Sequence, residues 1–219
     1  MKKLLIGLLF VATFAKAQKE IKPFGDALNT PLREKQYVDV SGSPYLFDAW
    51  AKGKVTTKSG KLFNVDSLKY DLIDDQLIFK DEKGVLMHFE EPITKFEIEN
   101  GLGGVSYFVN GLPASDGSNP SSYFEIINKG KVSLYKRSTK TIVEDKPYGS
   151  ATVNKSFQPN NSYFVLQEET LKKINLNSKN AIALFESKKA EMTDYLKKNK
   201  VNFKNDEDLK NLFTYFNKL

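Results

Sequence analysis

The apolar pattern of this chain changes its period once, near Asn175, and that change fixes the class of fold open to it. Upstream, short apolar segments recur every 8 to 12 residues between clusters of turn formers, as antiparallel strands do. Downstream, β-branched residues become sparse and apolar residues return at helical spacing. The expected architecture is therefore α+β. An antiparallel multi-stranded sheet (a meander, half-barrel or sandwich) occupies 36–175, and a two-helix tail of the same domain, 176–219, packs on it.

The strand region reads segment by segment. Strand 54–57 turns through Lys58-Ser59-Gly60-Lys61, where Gly60 supplies a positive φ, into a long strand over 62–73 that bends near Asp66-Ser67. Asp74-Asp75 makes the next turn, followed by strands at 76–80 and 85–89. Residues 93–99 alternate, with Phe96 and Ile98 on one face and Lys95, Glu97 and Glu99 on the other, so that strand has one wet face. Residues 109–122 are dense in breakers and form the longest loop, and their composition favours mobility. Strands resume at 123–127 and 131–136, with weaker candidates at 140–144, 151–157, 163–167 and 170–174 and a strong turn at Gln158-Pro159-Asn160-Asn161.

In the tail, Ser178 is a good N-cap for a helix running to Lys198. Its partial stripe of Ile182, Phe185, Met192 and Leu196 is interrupted by Lys188 and Lys189. Asn205 caps a second helix that opens on Asp206, Glu207 and Asp208, where the helix dipole favours acid, and carries the stripe Leu209, Leu212, Phe213 and Phe216.

The start of the chain is of another kind. Lys2-Lys3, an apolar run from Leu4 to Phe14 and the small-x-small pair Ala15 and Ala17 before Gln18 match a cleaved secretory signal peptide over 1–17. Residues 18–35, with Pro23 and Pro31, read as an irregular lead-in. Export to the periplasm or beyond follows. It also changes the electrostatics, because cleavage removes Lys2, Lys3 and Lys16 and lowers the formal charge from +6 to +3. The remaining excess lies in the tail from Lys172, whose 11 lysines face six acids, over a slightly acidic β body. Those lysines read first as a solvated face and second as a lipid-surface contact. Nucleic acid is not expected, since no aromatic strip interleaves with them.

Composition removes most catalytic chemistry. With no cysteine and one histidine, the chain has no disulfide, thiol nucleophile or zinc ribbon, and no site that needs two imidazoles. His88 reads as a structural residue of an apolar strand. Ser133 and Lys136 have the serine-x-x-lysine spacing, but on a strand i and i+3 point to opposite faces. Asp74-Asp75 and Glu90-Glu91 read as a turn and a strand exit. Asp116-Gly117-Ser118-Asn119 lacks the ligand spacing of a calcium loop, and Gly101-Leu102-Gly103-Gly104 has no following helix to cradle phosphate. Trp50 and the tyrosines read as packing residues. No catalytic residue, metal ligand or cofactor is expected.

Two stretches carry a resemblance. Gly42-Ser43-Pro44-Tyr45-Leu46-Phe47-Asp48-Ala49-Trp50 runs into Gly53-Lys54-Val55 and Leu68-Lys69-Tyr70-Asp71-Leu72. Val132-Ser133-Leu134-Tyr135-Lys136-Arg137 is followed by Tyr148-Gly149-Ser150-Ala151, Tyr195 and Asn202-Phe203-Lys204. Together they resemble a group of exported proteins of unknown function from Gram-negative bacteria. The resemblance implies an intact single domain and no activity. The favoured reading is thus a non-enzymatic envelope protein that binds a partner protein or an apolar ligand. A carboxylate-dependent glycan-active hydrolase or lyase, and a peripheral membrane-surface protein attached through its basic tail, are the alternatives.

Overall fold

The computed structural model describes residues 37, 39–101, 103–146, 148 and 153–219. The expected signal peptide, its cleavage residues Ala15, Ala17 and Gln18, and the 18–35 lead-in lie outside the described residues.

The described residues build one mixed, mostly antiparallel sheet and three helices. Its strands are β1 (Val40–Ser41), β2 (Ala51–Thr57), β3 (Leu62–Asp71), β4 (Gln76–Lys80), β5 (Leu86–His88), β6 (Ile93–Glu99), β7 (Val105–Val109), β8 (Phe124–Asn128), β9 (Ser133–Asp145), β10 (Asn154–Gln167) and β11 (Thr170–Ile174). The helices are α1 (Ser178–Leu184), α2 (Lys189–Asn199) and α3 (Asp206–Phe216), with a 3₁₀ turn, Glu186–Lys188, between the first two. Sheet order is β1-β10-β9-β8-β7-β6-β2-β3-β4-β5, with β11 beside β10, and the sheet is not closed. Among the described residues only β1 on β10 is parallel.

One connection dictates the shape of the first half. β5 is followed directly by β6, yet β4, β3 and β2 stand between them in the sheet. In a flat sheet that gap is roughly 19 Å, four steps of about 4.8 Å. The residues between them, 89–92, span about 17 Å at full extension, and Glu90 and Glu91 are spent on a bend. The sheet must therefore curl. Its concave side is filled by Val55, Leu68, Tyr70, Phe79, Phe96, Ile98 and Phe108. Phe96 and Phe108 stack at 4.4 Å, and Tyr70 meets both edge-on. Curling needs local devices as well. β3 carries one extra residue at Asp66-Ser67 against β2, which realises the expected bend. At Gly53, opposite, a Cβ would lie 2.4 Å from Glu97 O, so only glycine lets β2 and β6 approach.

The second half is covered on both faces. Leu134 and Val165 pack under the tail residues Phe185, Met192, Leu209, Leu212 and Phe213, while Phe124, Tyr135, Phe164 and Leu171 pack on the other side. The apolar stripe expected of α3 is thus spent on the sheet.

Several expectations need correction. Gln158-Pro159-Asn160-Asn161 is no turn: it lies inside β10, and the separate candidates at 140–144 and 163–167, together with residues 154–157 of the candidate at 151–157, belong to two long strands, residues 151 and 152 lying outside the described residues. A proline survives there because Lys140, opposite Pro159, turns its N–H away from β10 to Leu72 O, at 3.0 Å. The pair exchanges no bonds, so Pro159 presents its missing donor to an outer edge that, among the described residues, is left open between β1 and β11. Loop 110–122 is tied across its neck by Gly111 N–H to Pro120 O at 2.7 Å and by Asn110 Nδ2 to Ile93 O at 2.8 Å, bonds that composition does not reveal. The first tail helix is broken in two at Phe185, near the Lys188-Lys189 interruption. Its N-cap is Asn177, whose side chain accepts from Asn180 N–H, rather than Ser178.

β10 turns into β11 through Glu168 and Glu169 alone, with φ of 47° and 63°. Both sit in the left-handed region of a two-residue hairpin, a place suited to Asn-Gly and costly for other residues. Glu169→Gly is expected to stabilise the fold by about 0.5–1 kcal/mol and raise Tm by about 2 °C in a thermal scan.

Candidate functional site

Cross-strand register sets a single row of side chains on the concave, helix-covered face: Phe63, Val55, Phe96, Phe108, Glu125, Lys136, Tyr163 and Ile174. Four apolar residues lead into a carboxylate, an ammonium and a phenol. This change falls where the curled half meets the helix-covered half. There β7 and β8 part, sharing only Phe108↔Glu125 and Val109↔Phe124. The opening is a cleft of about 760 Å³. Val105, Ser106 and Tyr107 form one wall, Glu125, Ile126 and Ile127 the other, with Leu46 and Phe47 at one side and the start of α3 at the other. A neighbouring cavity of about 590 Å³ shares Leu46, Phe47 and Asn100 and extends to Trp50.

The polar centre is a connected network. Lys136 Nζ donates to Asp206 Oδ2 at 2.6 Å and stands 3.8 Å from Glu125 Oε2. Tyr163 OH donates to Asp206 Oδ1 at 2.7 Å. Asp206, in the first turn of α3, therefore takes the stronger share of Lys136. Glu125 is left at 17% side-chain exposure with a distant ammonium. Burial pushes its carboxyl above the ordinary value, against opposing help from Ser106 and Lys136. Burial, then the bond to the Asp206 carboxylate, pushes the Tyr163 phenol up.

The far end of α3 is fastened too. Asn217 Nδ2 donates to Asn128 Oδ1 at 2.9 Å and Val132 O at 3.0 Å, while its Oδ1 accepts from Val132 N–H at 3.1 Å. Gly130 permits this, because a Cβ there would lie 2.2 Å from Asn217 Cγ. Helix and sheet are thus pinned on both sides of the cleft wall.

The residues singled out from sequence fall mostly elsewhere. Ser133 Oγ donates to Gly130 O at 3.1 Å inside a turn, while Lys136 alone reaches the cleft, so serine and lysine do not meet. Asp75, left-handed at φ 57°, accepts from Tyr70 OH and from Arg137 Nη2 at 3.1 Å. Burial first, then Asp75, raises the Tyr70 phenol. Asp75, His88 and Glu91 line a smaller cavity of about 340 Å³ where β4, β5 and β6 converge. Glu91 also accepts from Ser59 N–H at 2.7 Å, and Ser59, first through its hydroxyl and then through this N–H, lowers its carboxyl. Gly101 and Gly104 belong to the β6–β7 hairpin, closed by Asn100 N–H on Gly104 O at 2.9 Å. In the 115–119 turn, Ser118 N–H donates to Ser115 O at 2.9 Å, and Asn119 Oδ1 accepts from Ser121 N–H at 2.8 Å. Trp50 has Lys69 and Lys80 over its ring, at 4.9 and 4.7 Å. Among the described residues no three acids or histidines converge as a metal site, and no helix is long and apolar enough to cross a membrane.

Glu125, Tyr163 and Asp206 had no functional reading in the sequence. The available signal was a glutamate set inside the apolar run Phe124-Glu125-Ile126-Ile127, which alternation alone assigns to a wet face. No protein-family model, curated protein or solved structure matches the chain.

The raised carboxyl of Glu125 has a thermodynamic consequence. A group whose pKa rises on folding favours the fold below its unfolded value and loses that contribution as pH climbs through the folded value. Glu125→Gln is expected to melt at the same temperature as the parent near pH 4 and higher near pH 8. The check is Tm against pH for both chains, Lys136 keeping its closer bond to Asp206 in each.

Proposed function

We propose that the chain is an exported binding protein without catalytic activity, which takes an apolar ligand or an apolar segment of a partner protein in the cleft between β7, β8 and α3. The observation that carries this reading is Glu125, a carboxylate only 17% exposed and raised by its burial, kept beside an open cleft whose walls mix the apolar Val105, Ile126 and Ile127 with polar and charged side chains. A fold under no functional demand would place an uncharged residue in that row. Size agrees: small-molecule and side-chain sites run from about 300 to 1,000 Å³. Exposed Val105 and Tyr107 beside the opening add apolar surface. Export rests on the pattern of 1–17.

A specific observation favours a second reading. Glu125 and Asp206 converge on one ammonium within one cleft, with the Glu125 carboxyl raised, and acid–base catalysis on glycans uses two carboxylates with separated ionisation. Lys136 between them fills the position a glycosidic oxygen would take, which turns the balance to binding. If catalysis operates, soluble glycans incubated with the chain release reducing ends, and Glu125→Gln abolishes the release.

Two measurements test the binding reading. Protein recovered from the envelope of its own cells should begin at Gln18 by N-terminal sequencing. Native mass spectrometry should find a bound mass that is lost in Ser106→Trp, which projects an indole into the cleft. Recovery of an empty monomer with an intact Met1 would sink both parts.

A further inference from the structure

The occupant of the cleft is legible from the hydrogen-bond phase of β7. In an antiparallel ladder, residues that exchange main-chain bonds alternate with residues that point theirs to the other side. Asn100 N–H bonds Gly104 O at 2.9 Å and Asn110 N–H bonds Thr94 O at 3.1 Å. With register Ile98↔Ser106 and Phe96↔Phe108 between these bonds, Ser106 and Phe108 spend their main-chain groups on β6. Val105, Tyr107 and Val109 therefore aim theirs at β8. Val109 meets Phe124 there; Val105 and Tyr107 have no ladder partner in β8. Among the described residues their N–H and C=O groups have no main-chain partner, and they line the cleft as an open strand edge.

Two of the strand edges left open among the described residues are treated differently. On β10, the open stretch between β1 and β11 carries Pro159, a residue that blocks strand addition. On β7 the open stretch carries Val105 and Tyr107, which are 42% and 49% exposed, and neither proline nor lysine guards it. Beside it, Ser106 and Glu125 face the opening from the concave side.

We infer that the cleft receives an extended peptide segment of a partner protein, which adds as a strand to the free edge of β7. This rests on the binding reading above. The segment bonds the main chain of Val105 and Tyr107, lays apolar side chains against theirs, and turns an alternate donor side chain, a lysine or arginine, toward Glu125. Recognition of this kind has a period of two along the peptide, which no small amphiphile shares.

The test uses the mature chain and a phage-displayed library of random 12-residue peptides. Selection should enrich segments with alternating apolar residues and a basic residue on the other face. For the best binder, N-methylation at every second amide should weaken affinity about tenfold or more, while N-methylation of the intervening amides should not. Val105→Pro, which removes a donor from the free edge without touching β6, should have the same effect with an unchanged circular dichroism spectrum. Glu125→Gln should erase the preference for the basic residue. No enrichment, a helical period in the methylation scan, or binding indifferent to Val105→Pro overturns the proposal. The peptide-side scan decides the matter even if that variant fails to fold. n-Octanol and n-octylammonium separate the two levels of inference. Their saturable binding, lost in Ser106→Trp, without peptide enrichment would retain a binding cleft and reject the strand; failure of all probes would reject both.

Discussion

Four residues between β5 and β6 control the shape of this molecule. The link at 89–92 is too short to pass over β4, β3 and β2 laid flat, so the sheet must roll until its first-half edge approaches β6. Rolling produces a concave side, and the aromatic cluster of Tyr70, Phe96, Phe108 and Tyr123 fills it. At the other end, the long strands β9 and β10 are covered by helices on one face, and β9 reaches back to the curled half, where Lys140 N–H bonds Leu72 O at 3.0 Å and Arg137 pairs with Asp75. Between β7 and β8 the ladder holds for two pairs and then opens, and the cleft lies there.

α3 keeps the opening from collapsing. Here Asp206 is held by Lys136 and Tyr163, and Asn217 by Asn128 and Val132, so both ends are fixed to β8, β9 and β10. Between them Leu209, Leu212 and Phe213 supply the adhesive area. The polar bonds contribute modestly to net stability, about 1 kcal/mol each for neutral pairs, and their larger effect is on position. Apolar contact presses the helix down, and the terminal bonds decide where.

Much of the fold was legible in the sequence because short-range rules govern it. β4, β6 and β11 occupy the segments expected, Gly60 adopts its positive φ, the Asp66-Ser67 bend is a bulge, and Asn205 caps α3 through Asp208 N–H. The failures have a common cause, which is dependence on a distant partner. Pro159 reads as a turn until Lys140, 19 residues earlier, is seen to send its N–H to Leu72. Loop 110–122 reads as loose until Ile93 is found accepting from Asn110 and Tyr123. The site was invisible for the same reason: Glu125, Lys136, Tyr163 and Asp206 are scattered over the chain and meet only through register and the seat of α3. His88 and the adjacent acid pairs drew attention because they stand out locally, and local prominence says nothing about convergence.

The place of Glu125 in its row weighs most for function. Alternation along β8 assigns it to one face, and on a sheet wet on that side a glutamate needs no explanation. Here that face continues Phe63, Val55, Phe96 and Phe108 on one side and runs under the helical tail on the other. A valine or leucine would extend the row and let β7 and β8 approach. A carboxylate does the opposite: it resists burial, holds Lys136 only at 3.8 Å, and keeps the seam polar at its floor. The cleft lies where the β7–β8 ladder ends, and Glu125 sets a carboxylate among apolar residues that would otherwise seal it.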